Sequence, residues 1–174
     1  GALYYPWLCN QDKSYPPSGS VAGIFVRVER DHPPLGIEWP PANVLVHGAT
    51  HMEIEFEWDE ASLFSDNQIN PIIVQNGRGI VVFGARTLSS KTQMRFINSR
   101  RVLSMIKEQI RRDSAWAVFE THNPHLWSVL DRDIRLRLKE FWDAGLLMRS
   151  KNGQQFEVTC NASNNPQYLR DAGQ

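Results

Sequence analysis

Three glycines frame an apolar run in NGRGIVVFGARTLSS, residues 76–90, with Arg78 and Arg86 beside them. A glycine loop can cradle phosphate where it joins a strand to the start of a helix, because amides and helix dipole meet the anion there. The order here does not fit that chemistry. Gly77 and Gly79 lead into a β-branched run, Ile80 to Phe83, and no Gly-Lys-Ser/Thr follows. Gly84 comes five residues after Gly79, so the G-x-G-x-x-G spacing fails too. Gly77-Arg78-Gly79 reads better as a turn that delivers the chain into a buried strand.

The histidines raise the question of a metal. His47 and His51 have the i, i+4 spacing of a zinc-protease helix, but Gly48 stands where that motif needs its glutamate. Gly and Thr inside VHGATH also weaken any helix there. His122 and His125 flank an expected helix start. SGSVAG has Val21 at its centre, where a nucleophile elbow needs serine. Glu53, Glu55, Glu57 and Asp59 alternate with apolar residues and could be imagined as paired catalytic carboxylates. Such alternation is ordinarily the solvated face of a strand. No catalytic, cofactor-binding or metal-ligating residue is nominated, and no cofactor is expected.

The elements that would position these residues follow from periodicity. Residues 1–20 read as irregular, punctuated by Pro6, Pro16, Pro17 and Gly19. VAGIFVRVER fits a strand through Ile24, Val26 and Val28, or a helix through Val21, Ile24, Phe25 and Val28; Ser18 or Ser20 as N-cap favours helix. DHPPLGIEWPPANV is a proline-rich loop. MEIEFEWDE reads as a strand with Met52, Ile54, Phe56 and Trp58 buried, and INPIIV and GIVVFGAR as two further strands. A helix is predicted from Thr92 to about Arg112, with a stripe of Phe96, Leu103, Ile106 and Ile110 and a capping box from Ser90 and Gln93. AWAVFE returns to strand. A second helix opens at Asn123 and Pro124, carries Trp127, Leu130, Ile134, Leu138 and Trp142, and stops at Gly145. QQFEVTC is a last strand. The sum is an α+β (α/β-like) fold: one mixed β-sheet flanked by two long helices and a shorter N-terminal helix.

The chain has 174 residues, enough for a single domain, with 41% hydrophobic and 10% aromatic residues. Nineteen basic and nineteen acidic side chains cancel, so no global field draws in nucleic acid or an anionic membrane. No apolar run approaches the ~18–20 residues that cross a bilayer, and no signal-peptide pattern opens the chain. Cys9 and Cys160 form no CxxC pair and fit a reducing compartment. The start at Gly1, without methionine, suggests a piece of a longer protein.

Charge is nevertheless segregated. Arg95, Arg100, Arg101, Lys107, Arg111 and Arg112 crowd the first long helix, and Arg132, Arg135, Arg137 and Lys139 the second. A basic helix and an acidic strand in a neutral chain suggest complementary patches between copies. The candidate contacts are Arg100, Arg101, Lys107, Arg111, Arg132, Arg135 and Lys139 on the basic side, and Glu53, Glu55 and Glu57 on the acidic side. A small nucleic-acid-binding module using the basic helix is a further reading, without an aromatic-plus-basic groove behind it. An enzyme ranks third.

Several segments, in order, resemble the contractile tail sheath proteins of phages and related bacterial injection particles. They are ALYYPWL, PPSGSVAGIFVRVERD, PPAN, IN followed by GRGIVVFGARTLSS, RFINSRRVLSMIKEQI, WAVFETHNPHLWSVL, FWDAGLL and FEVTCNASNNPQYLRDAG. The likeness runs through nearly all of residues 2–173, as the C-terminal, inner part of a sheath subunit. DHPPLGIEWPPAN departs from it by being richer in proline. The resemblance implies that VAGIF is helical and that Gly77, Gly79, Gly84 and Arg86 are architectural. It implies a structural, non-enzymatic subunit that stacks with copies of itself around a tail tube protein, between baseplate and tail terminator. Contraction then drives the tube through the target envelope, with no nucleic acid bound and no direct membrane insertion. The place would be the virion tail, assembled in the host bacterial cytoplasm, or a tailocin or secretion-type particle. Residues 1–174 would be one domain lacking the strand-exchange arms and outer domains, and therefore monomeric in isolation.

Overall fold

The computed structural model describes residues 1–33, 36–56, 58–147 and 156–168. β1 (Leu3–Tyr5), β2 (Leu8–Asn10) and β3 (Lys13–Tyr15) open the chain. α1 (Ser18–Asp31), β4 (Val44–Leu45), β5 (His51–Met52) and α2 (Trp58–Asp66) follow. Then come β6 (Ile69–Gln75), β7 (Gly79–Val82), α3 (Ile97–Asp113) and α4 (Pro124–Asp143). The fold is α+β.

The β6–β7 hairpin is the frame. Gly77 sits in its turn at φ 78°, closed by the Arg78 N–H donating to the Gln75 carbonyl over 2.9 Å, and Gly79 follows at φ 99°. Both angles lie where a side chain would be strained. The sheet order is β1-β6-β7-β4, with β1 parallel to β6 and the other pairs antiparallel. Alternate residues pack on opposite faces: Ile72, Ile80 and Val82 join Val21, Ile24 and Val28 of α1, whereas Ile73 and Val81 meet Ala61 of α2. A hairpin covered on both sides has no polar face, which is why it reads as unbroken apolar runs.

A second sheet, antiparallel in the order β3-β2-β5, adds Leu8 and Met52 to the α1 core. The single expected sheet is thus a mixed sheet plus a small antiparallel one, and residues 1–20 are not irregular. Three-residue strands carry little periodicity of their own; partners remote in sequence define them.

α1 is helical, but its N-cap position is Pro17 and no side chain caps it; Ser18 and Ser20 lie within the first turn. The predicted strand over residues 52–60 is replaced by the end of β5, a bend, and α2 from Trp58. Asp59 and Glu60 fall in the first turn of α2, where the helix dipole favours carboxylates. Phe56 leaves the alternation for an aromatic cluster, 6.1 Å from the Tyr5 ring and 4.9 Å from Phe64. Glu57 lies outside the described residues.

The chain divides into two compact units, 1–103 and 104–174, with α3 running through the boundary. Phe96 is half-exposed and precedes α3; Ile97 takes the buried place expected for it. No capping box forms: Lys91 is the N-cap of a 3-10 turn, Thr92–Met94, with no side-chain cap bond. In the second unit, Asn123 Oδ1 accepts the Leu126 N–H over 3.0 Å and Pro124 opens α4, as its sequence signals require. Past its end, Gly145 at φ 86° donates its N–H to Trp142, and Leu146 donates to Phe141. AWAVFE is not a strand. Ala115–Ala117 forms a 3-10 turn and no ladder partner is described for it. Residues 156–160 are not in a strand either, although half-burial alternates along them; Gln154 and Gln155 lie outside the described residues.

One buried amide ties the sheet unit together. Asn70 is fully buried, and its Nδ2 donates to the carbonyls of Leu3 (2.9 Å) and Arg86 (2.8 Å). Its Oδ1 accepts the Arg86 N–H over 2.6 Å. Gly84 passes so close that a Cβ there would lie 2.8 Å from Asn70 Oδ1 and 2.9 Å from its Cα. Asn70→Ala strands three main-chain groups and is expected to cost about 2–4 kcal/mol, and Gly84→Ala about 1–3 kcal/mol through the clash. Urea unfolding followed by circular dichroism measures both; wild-type midpoints would contradict this account of the motif.

Candidate functional site

The residues that first suggested chemistry are not brought together. Gly77 and Gly79 belong to a strand-to-strand turn, and the Arg78 guanidinium beside them makes three hydrogen bonds within the protein. It donates to Asn43 Oδ1 and Gln75 Oε1, both at 2.7 Å, and to the Asn43 carbonyl at 3.1 Å. Asn43, held at φ 57°, is the last residue of PPAN, so Arg78 fastens that loop to the hairpin. Sequence reasoning missed this fastening because it joins motifs 35 residues apart. His51 pairs in β5 with Cys9, and its Nδ1 lies 3.0 Å from Thr50 Oγ1. His122 meets the Trp127 ring edge-on at 5.5 Å. Among the described residues no three His, Cys, Asp or Glu side chains cluster as a metal site would require. Cys9 is buried, and burial, with Asp131 nearby, pushes the Cys160 thiol above its ordinary value.

The helix cations are largely matched within their own helices. Arg111 and Arg112 both bind Glu108 over 2.8–2.9 Å and hold its carboxyl down at about 2. On α4, Arg135 binds Asp131 at 2.6 Å and the Val158 carbonyl at 2.7 Å, and Arg132 binds Asp133 at 2.8 Å. Arg137 bridges Asp113 and Glu140, each at 2.5 Å. Such exposed pairs hold little energy individually and can be remade with other partners. Arg101 is different: it pairs with Glu29 of α1 and lies 4.8 Å over the Phe25 ring, with a quarter of its side chain exposed. Arg100 reaches Met94 Sδ at 4.0 Å. Lys107 and Lys139 are exposed, as are Glu53 and Glu55, which sit at the bend after β5 instead of on a strand face. The structure therefore scatters the candidate contacts over both units.

Two features were not foreseen. Beside the hairpin, Pro40, Phe83, Gly84, Arg86 and Phe96 line an open pocket of about 460 Å3. After α3, the loop carrying Trp116, Val118 and Phe119 presents apolar side chains to solvent. Its β-branched and aromatic composition looks like a strand, so exposure could not be read from it.

This arrangement has known counterparts. A family model described as the phage tail sheath C-terminal domain matches residues 89–170. The chain is 22% identical over 167 residues to the tail sheath protein of Vibrio phage KVP40, covering 93% of this chain. It superposes on a chain of the PVC sheath complex, an extracellular contractile injection system in its contracted state, with a TM-score of 0.76 and 29% identity over 99% of its length. Residues 89–170 thus match the sheath C-terminal domain, and the chain as a whole is similar to contractile sheath proteins. A chain of the contracted helical sheath of the anti-feeding prophage gives a TM-score of 0.75 at 27% identity over 86%. The chain spans 23% of the Vibrio phage sheath protein and 49% and 42% of the two solved chains. Sheath proteins are structural, which accords with side chains spent on fastening and pairing.

Arg101 is a fastening residue and the lysines are not. Arg101→Ala is expected to lower stability by about 1–2 kcal/mol, and Lys107→Ala or Lys139→Ala by less than about 0.5 kcal/mol. Chemical denaturation compares them, and equal losses at all three positions would contradict the distinction.

Proposed function

We propose that this chain is the inner, C-terminal domain of a sheath subunit that polymerises around a tail tube and contracts to drive the tube through a target envelope. The observation that carries the reading is the likeness to the PVC sheath chain over 99% of this sequence. The subunit acts without a cofactor or an active site; energy is stored in the difference between two sets of contacts with its copies. A fold stiffened by a doubly covered hairpin, a buried amide bracket and the Arg78 fastening suits a part that moves as a rigid body. Its exposed ion pairs suit surfaces that must exchange partners. Its partners are copies of itself, the tail tube protein, the baseplate and the tail terminator, and its place is the tail of a virion assembled in the host bacterial cytoplasm.

A second reading places the same subunit in a bacterial contractile injection particle, favoured by the likeness to the PVC and anti-feeding prophage sheaths. Both readings share one mechanism and differ in what lies beside the sheath: a particle without a capsid means the second. Nothing favours the nucleic-acid reading once α3 and α4 are seen to be laced with internal ion pairs.

Electron microscopy of particles from the producing bacterium is expected to show striated sheaths containing this protein, in extended and contracted forms. Their absence would contradict the proposal. Within it, Lys107 and Lys139 are contacts to acidic surface on a neighbour or the tube. Lys107→Glu combined with Lys139→Glu is expected to cut the assembled fraction roughly ten-fold with an unchanged melting temperature. Wild-type assembly of that variant would remove those lysines from the interface.

A further inference from the structure

Phe119 is fully exposed, at 102% of its reference accessibility, and holds φ at 75°. A bulky residue in the left-handed region is an outlier, and strain of that kind persists where surrounding structure or function demands it. Among the described residues nothing covers its ring, so the conformation lifts an aromatic side chain into solvent. Glu120 follows, also exposed and without a described side-chain partner. The loop therefore offers an aromatic anchor with a carboxylate next to it.

The pocket beside the hairpin has the matching chemistry. Phe83, Phe96 and Pro40 give it apolar walls, and Phe96 is itself half-exposed. Gly84 adds main chain to the lining, packed against the buried Asn70. Arg86 is bonded to Asn70 only through its main chain; among the described residues its guanidinium has no hydrogen bond or ion pair. A half-buried cation in a pocket whose walls are part aromatic and part polar, with Ser65, Asn98 and Ser99 beside Phe83 and Phe96, suits an acidic partner that brings an apolar group with it.

We infer that Phe119 and Glu120 of one copy dock into this pocket on a second copy, the ring between Phe83 and Phe96 and the carboxylate on Arg86. Donor loop and acceptor pocket are different surfaces, so the contact runs head to tail. Repeated head-to-tail contacts build rings or open helical polymers. The inference rests on the sheath reading and names one contact within it. It also gives Arg86 two separate roles: its main chain completes the fold and its side chain receives a neighbour.

The test uses assembled sheaths. With p-benzoylphenylalanine at position 119, irradiation is expected to yield a crosslinked dimer whose second peptide contains residues of the 40–42, 83–86 or 96–99 segments. Arg86→Glu and Glu120→Arg are each expected to lower the assembled fraction roughly ten-fold, and the two together to restore most of it. Neither change touches the Asn70 bonds, so both variants should keep the wild-type circular dichroism spectrum. Crosslinks confined to other segments or to another protein, wild-type assembly of both single variants, or a double variant as poor as the worse single one would each overturn the inference. If the unaltered protein forms no sheath, the proposed function fails instead, so the two failures are distinguishable.

Discussion

An amide sealed from water must spend its hydrogen bonds inside the protein, and at Asn70 that requirement organises the sheet unit. Its side chain bridges the main chain of β1, at Leu3, and the segment leaving β7, at Arg86. Losing either partner would leave a buried polar group unsatisfied, at a cost of about 1–3 kcal/mol. The bracket therefore fixes where the chain enters the parallel pairing and where it leaves the hairpin. Gly84 is the complement of that choice, since no side chain fits against Asn70 there. The Gly-Ala-Arg run and the Ile-Asn pair are thus two halves of one device.

The same logic accounts for the glycines that first resembled a nucleotide loop. Gly77 and Gly79 supply positive φ for a turn, and Arg78 between them is committed to Asn43 and Gln75. A guanidinium with three such bonds has little left for an anion. Chemistry that looks catalytic in one dimension is mechanical in three. Within residues 1–103 these bonds tie the hairpin to β1 and to the PPAN loop.

Legibility in the sequence followed how local each determinant is. α4 was readable at both ends because Asn123, Pro124 and Gly145 act within one turn of themselves. β6 and β7 were readable because burial on both faces favours runs of β-branched apolar residues, with Asn70 the buried polar exception. Residues 52–60 misled because strict alternation of acids mimics a half-exposed strand, whereas the dipole of α2 and the Tyr5–Phe56–Phe64 cluster decide the outcome. AWAVFE misled for the opposite reason: strand-like composition without a ladder partner in the described chain. The exposed Phe119 and the unmatched Arg86 side chain were invisible, because accessibility and pairing exist only after folding.

The proposed function requires that the sheet unit, residues 1–103, keep its internal bonds while contacts with copies change. Helical reconstructions of the sheath before and after contraction measure that directly. The account predicts that the hydrogen bonds from Asn70 to Leu3 and Arg86, and from Arg78 to Asn43, hold in both states while contacts between subunits differ. A contracted sheath in which the β6–β7 hairpin has come apart, with subunit contacts unchanged, would contradict it.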